Sequence, residues 1–220
     1  MAAEAKRLIG TKALPRERVA VAGPSATAAE AKARELLAGG AMALVSFGLA
    51  AGLHPLLRPG VVVLATAVIT PTGETLATQT LWRGRLVVYS RLVAQILEAP
   101  LAGIDRPLAS AADKAALRAA SGAVAADMES HGVARAAAAA KVPFIVVRAI
   151  ADAADREIPP AALAALRADG QISFGRLLAR LLRHPGESWD LLRLSAAAPT
   201  ALAALKRIAR AGGEDLAFPG

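Results

Sequence analysis

The 220-residue chain has no cysteine, which excludes a disulfide framework and a thiolate-bound metal. Aromatic residues make up only 3%. A core must therefore be built from Ala, Leu, Val and Ile, and a nucleic-acid surface of stacking rings interleaved with arginine is not expected. Three histidines, at 54, 131 and 184, are too scattered to make a metal set. No GxGxxG stretch is present, so there is no dinucleotide fingerprint. The longest uncharged run, Leu36 to Leu57 with His54 neutral, has the length of a membrane span. Gly39-Gly40, Gly48, Gly52 and Pro55 interrupt it, and it reads instead as a helix end, a strand and a glycine-rich loop. Met1–Gly10 ("MAAEAKRLIG") has no continuous apolar core, so no secretory signal is expected, which fits a cytoplasmic chain.

What is present is apolar and basic. Apolar residues reach 55%, mean hydropathy is +0.44, and 26 Lys and Arg against 18 Asp and Glu give a net charge of +8. A disordered chain is excluded, and the surface favours anionic partners: phosphorylated small molecules or lipid headgroups. Length and the lack of a long linker predict one domain over 1–220.

Along the chain, "RVAVAG" (18–23) reads as a strand. A helix opens with a Thr27–Glu30 capping box and closes at Gly39. "AMALVSF" (41–47) and "VVVLATAVI" (61–69) are buried strands, separated by a small-residue turn, "GLAAGL". "RLVVYS" (85–90) reads as a weaker strand leading into a helix through Glu98. A helix opens at Ser110 with Asp113 three residues on. "GAVAADM" is a strand entering the alanine-rich helix "ESHGVARAAAAAK", and "VPFIVVRAI" is the last strand. From Pro159 the chain reads as helical, with breaks at Gly170, at 184–186 and at Pro199. The alternation predicts an α/β fold, a mixed β-sheet flanked by helices.

Ligands in such sheets gather at the carboxyl ends of strands. Two strand ends here deliver acids, "DMES" (127–130) and "AIADAAD" (149–155). Each acid also has an ordinary structural reading. Asp152 and Asp155 can cap a turn or a helix, Glu129 suits the first turn of its helix, and His131 suits a surface or packed position.

Taken together, "AVAADMESHGVARAAAAAKVPFIVVRAIADAAD" (123–155) resembles the signature of the nucleoside phosphorylase/nucleosidase superfamily. Met128-Glu129, Val142-Pro143-Phe144 and Arg148 to Asp155 match the pattern of methylthioadenosine/S-adenosylhomocysteine nucleosidases. "VSFGLAAGLHPLLRPGVVVL" (45–64) resembles the family's glycine-rich strand-loop-strand, and "GIDRPLASAADKAAL" (103–117) stands where its base-contacting strand and next helix lie. Ser130-His131 after the Met-Glu pair resembles the hopanoid-associated branch, whose members are thought to release adenine from adenosylhopane. The resemblance implies cleavage of the N-glycosidic bond of a 5′-substituted adenosine.

It further implies roles for particular residues. Asp152 would be the general acid that protonates the base, which requires a raised pKa. Glu129 would grip the ribose, Met128 would lie against the sugar, Leu108 would pack the purine, and Gly48 would admit the ligand to the backbone. Glu4 would correspond to the glutamate that positions the attacking water. Ser46 and Leu49 replace the arginine and serine that bind phosphate in characterised phosphorylases, so phosphate and water both stay open as nucleophile. Relatives carry a strand and glycine ahead of a segment like "MAAEAK", so a shortened first strand is expected. No cofactor or metal is expected, with inorganic phosphate the only co-substrate. The expected partners are a purine nucleoside, a second copy of the chain in a homo-oligomer, and an anionic membrane surface. That surface would be met by the Leu- and Arg-rich tail around 176–183 and would put the protein at the inner membrane's cytoplasmic side.

Overall fold

The computed structural model describes residues 18–157 and 187–216. Its elements in chain order are α1 (Ala26–Ala38), β1 (Leu44–Gly52), β2 (Val62–Ile69), β3 (Thr75–Ala77), α2 (Thr80–Ser90), β4 (Ile96–Gly103), α3 (Ala111–Ser121), β5 (Ala125–Asp127), α4 (Ser130–Ala140), β6 (Phe144–Asp152) and α5 (Glu187–Gly212), closed by a 3₁₀ turn over Gly213–Leu216.

The strands run in the order β3-β2-β4-β5-β1-β6, and β2 also pairs with β6. Five strands therefore close a ring. β2–β4, β4–β5 and β1–β6 are parallel, while β5–β1 and β6–β2 are antiparallel. β3 adds to the second half of β2, beyond the reach of β6. The sheet is mixed and carries helices on both faces, as the alternation of elements predicts.

Side chains alternate across a strand, and β6 shows how the two cores arise. Phe144, Val146 and Ile150 join Val63, Ala65 and Leu101 beneath the alanines of α1 and α4. Ile145, Val147 and Ala149 join Val62 and Leu64 beneath Trp82 and Leu86 of α2 and Ala204, Leu205 and Ile208 of α5. Alanine on the helices lets them approach closely. The extreme is Gly132 of α4, where even a Cβ would come within 2.1 Å of the Ala26 carbonyl oxygen.

Several expectations need correction. Residues 18–23 form no strand: the segment has no ladder partner among the described residues and turns at Gly23-Pro24 into α1. Ser25 caps α1, its Oγ accepting from the Ala28 N–H at 3.5 Å, while Glu30 is engaged sideways by Arg34 and Arg135. Residues 85–90 are helical, because Gln79 caps α2 (Trp82 N–H to Oε1, 2.6 Å) and Trp82, Leu86, Val87 and Ser90 fall on one buried face. Residues 96–103 are a strand paired with β2, not a helix. "GLAAG" continues β1 because β6 runs beside it as far as Asp152. α5 runs through the exposed Pro199 without a break.

Other expectations are met. Gly39 closes α1, Ser110 and Asp113 form a reciprocal capping box on α3, and 36–57 divides into helix end, strand and loop. No helix among the described residues is long and apolar enough to cross a membrane. The tail segment 176–183 lies outside the described residues.

Candidate active site

β5 ends at Asp127 and turns at once into α4. The turn is built by Asp127, whose Oδ1 accepts from the backbone N–H groups of Glu129 (3.2 Å) and Ser130 (2.9 Å). Asp127, rather than Glu129, is thus the acid that satisfies the start of α4; the Glu129 side chain makes no cap hydrogen bond. This frees Glu129 from the structural role its position allowed.

Glu129 is turned toward Arg148 of β6 instead, with 3.3 Å between Oε2 and Nη1. Arg148 is 2% exposed and gathers the whole cluster. Its Nε lies 2.5 Å from Asp127 Oδ2 and donates to Ser130 Oγ at 3.2 Å, Nη2 donates to Ser46 Oγ at 2.7 Å, and Nη1 donates to the Leu49 carbonyl at 3.2 Å. Ser130 Oγ also donates to Asp127 Oδ2. Such density is what a buried guanidinium requires, since uncompensated burial of charge is costly. Gly48 lies opposite Arg148 in the β1–β6 ladder. Two carboxyl groups, those of Asp127 and Glu129, face the one guanidinium. A small cavity of 80 Å³ touches Ser46, Phe47, Glu129 and Arg148.

Asp152 ends β6 at a bulge, level with Ala51. Its Oδ2 accepts from Lys114 Nζ of α3 at 2.6 Å, and its Oδ1 is buried with no hydrogen-bond partner among the described residues. Burial raises its pKa, outweighing the opposing hydrogen bond and charge of Lys114. The shift is upward despite the adjacent cation. Along β1, Ala51 and Gly48 are three residues apart, roughly 10 Å at the strand rise of about 3.3 Å.

A larger cleft of about 490 Å³ opens between α3, the β1–β2 connection and the loop after β6, touching Leu53, Pro55, Ala111, Ala115, Ala154 and Asp155. Leu108 is half-buried against Leu53 and Ala126 in this region. Met128 is half-buried. The structure thus unites Gly48 and Glu129 around Arg148, and sets Asp152 apart, held by Lys114. Glu4 lies outside the described residues. Asp155 is exposed and sits 3.6 Å from Arg58, a contact of the solvated kind that contributes little.

His131 is fully buried. Gly103 makes this possible, since a Cβ there would lie 2.4 Å from the ring. Burial lowers the His131 pKa and the Arg135 charge adds to this, while Asp105, 3.2 Å from Nε2, and Asp127 oppose it. A folded pKa below the unfolded one means stability present above about pH 6.5 and lost as pH falls further. Melting curves between pH 7.5 and 5 should decline more steeply for the native chain than for His131→Gln. Parallel declines would remove His131 as the cause.

Sequence reasoning gave no role to Lys114, Arg148 or Asp127, which the structure places against Asp152 and Glu129. Arg148 opens one matched motif, Asp127 stands directly before another, and both are charged residues in apolar strands, which was the available signal. Lys114 gave none, being one lysine in an amphipathic helix.

Solved structures share this fold. The 5′-methylthioadenosine/S-adenosylhomocysteine nucleosidase of Neisseria meningitidis, in complex with methylthio-immucillin-A, is 20% identical with a TM-score of 0.61, covering 86% of this chain and 79% of its own. Futalosine hydrolase of Helicobacter pylori is 19% identical with a TM-score of 0.59, covering 85% and 75%. The corresponding nucleosidase of Campylobacter jejuni is 19% identical with a TM-score of 0.58, covering 86% and 77%. No curated protein sequence matches the chain. A family model does match residues 6–183, four-fifths of the length, and by that match the chain belongs to the Phosphorylase superfamily.

Proposed function

We propose that the protein cleaves the N-glycosidic bond of a purine nucleoside carrying a 5′ substituent. The observation that carries this is a carboxyl group at the end of β6, Asp152, buried and with a raised pKa, together with a second acid, Glu129, in the turn after β5 beside Arg148. Asp152 gives its proton to N7 of the base as the C1′–N9 bond breaks with its electron pair moving onto the base. Glu129 accepts from the ribose hydroxyls. The two acids of the Asp127–Glu129–Arg148 cluster favour the positive charge developing at C1′.

Two nucleophiles fit the family. Water is the one the described residues favour. The hydrogens of Arg148 are directed to Asp127, Glu129, Ser46, Ser130 and the Leu49 carbonyl, and Lys32, beside the same cavity, is paired with Glu35 at 2.6 Å. A phosphate anion would meet the two acids of the same cluster. Phosphorolysis is the second reading, supported by the resemblance of 123–155 to the hopanoid-associated branch. That resemblance also selects adenosylhopane as the 5′-substituted adenosine.

The test is release of adenine from adenosylhopane and from methylthioadenosine, each with and without inorganic phosphate. Release that ignores phosphate and yields free ribose derivatives is expected. Strict dependence on phosphate with formation of a ribosyl 1-phosphate would establish the second reading, and no release under either condition would overturn both.

A further inference from the structure

The Lys114 ammonium is an unexpected neighbour for an acid that must donate a proton. It sits in the first turn of α3, the positive end of the helix, where a cation is disfavoured. It is also fully buried, although lysine is seldom so. Two unfavourable terms at one residue point to a function that outweighs them.

The contacts define that function. Lys114 Nζ donates to Asp152 Oδ2 at 2.6 Å, to the Ala153 carbonyl at 2.8 Å and to the Arg156 carbonyl at 2.8 Å. Three acceptors consume the three hydrogens of an ammonium, and a neutral amine has only two. Lys114 is therefore charged, and Oδ2 of Asp152 is committed as an acceptor. The other oxygen, Oδ1, is buried and has no hydrogen-bond partner among the described residues. The charged groups around the carboxyl are Lys114 from α3 with Arg156 and Asp155 from the loop after β6.

We propose that Lys114 is a positioning residue for proton transfer. By occupying Oδ2 it confines the transferable hydrogen of Asp152 to Oδ1, and it stabilises the carboxylate that remains once the hydrogen has gone. This inference rests on the role of Asp152 given above. In the step, the Oδ1–H bond breaks, an N–H bond forms at N7, and the glycosidic electron pair passes to the departing base. Asp152 is left anionic beside an ammonium that keeps all three of its hydrogens. A proton from solvent then restores the acid. By the same three bonds Lys114 ties α3 to the loop over 153–156, so acid and cleft wall move as one unit.

A structural staple alone would not set the acidity of Asp152, so the pH profile separates the two roles. Lys114→Met keeps the volume and removes the charge. Lys114→Gln keeps a donor and removes the charge. In each, kcat/KM for adenine release is followed against pH, and the Asp152 side-chain carboxyl is titrated by ¹³C NMR. Loss of a cation in hydrogen-bond contact shifts a carboxyl by about one to three units. The alkaline limb and the ¹³C midpoint should both move upward by that amount, with a lower plateau rate because the acid is weaker. A folded variant with both midpoints unmoved overturns the proposal.

Should neither variant fold, the ¹⁵Nζ signal of Lys114 in the native chain decides. A protected three-hydrogen ammonium across the Asp152 titration supports the role, and a neutral or freely exchanging amine overturns it. The Asp152→Asn variant keeps the two ideas distinct. Full activity in that variant defeats the acid role itself. Its inactivity, together with an unmoved alkaline limb in Lys114→Met, defeats only the role of Lys114.

Discussion

Asp152→Asn is expected to slow adenine release by about 10²- to 10⁴-fold, the range typical of a lost general acid. The substitution preserves shape, and the amide oxygen can still accept from Lys114, so the fold should persist and the melting temperature should stay near that of the native chain. What disappears is the transferable hydrogen at a buried oxygen. A thousandfold loss corresponds to about 4 kcal/mol of transition-state stabilisation. The purine is a poor leaving group unless protonated, so the effect should fall on kcat rather than on KM, and it should grow with the basicity of the leaving group. Measured rates within a factor of three of the native enzyme would end the assignment of Asp152.

The second large effect is on stability. Arg148→Met should destabilise the fold by about 3–5 kcal/mol, because removing one partner of a buried ion pair leaves uncompensated charge behind. Here two carboxylates, Asp127 and Glu129, lose their common cation, and Ser46 and the Leu49 carbonyl lose donors. Urea unfolding checks this directly. Adding Asp127→Asn to Arg148→Met should recover part of the loss, since one of the stranded charges is then gone. A loss below 1 kcal/mol, or no recovery in the double variant, would mean that the cluster does not hold β5, α4 and β6 together.

The fold was legible in the sequence where local signals agreed with tertiary context. β2 and β6 are rich in β-branched residues, and the Ser110–Asp113 box marks α3 without ambiguity. It was misread where the same residues suit two structures. "RLVVYS" is rich in β-branched residues, yet Trp82, Leu86 and Ser90 recur at helical spacing, and packing against α5 decides for helix. "ILEAPLAG" contains a proline and a glutamate that argue against a central strand, but β2 and β5 supply its ladder on both sides. "GLAAG" looks like a turn because small residues are permissive, and its long-range partners β6 and β5 keep it extended. Of the site, the acids at strand ends could be found because charge stands out against an apolar background. Lys114 could not, because its importance comes from a contact across 38 positions of sequence and nothing near it marks the residue as buried.

The closure of five strands into a ring bears on how copies of this chain can associate. An open sheet offers unpaired N–H and C=O groups along its margins, where a strand from another molecule can dock. Among the described residues each strand of the ring has a neighbour on both sides over part of its length, which shortens the margins on which a strand from another molecule could dock.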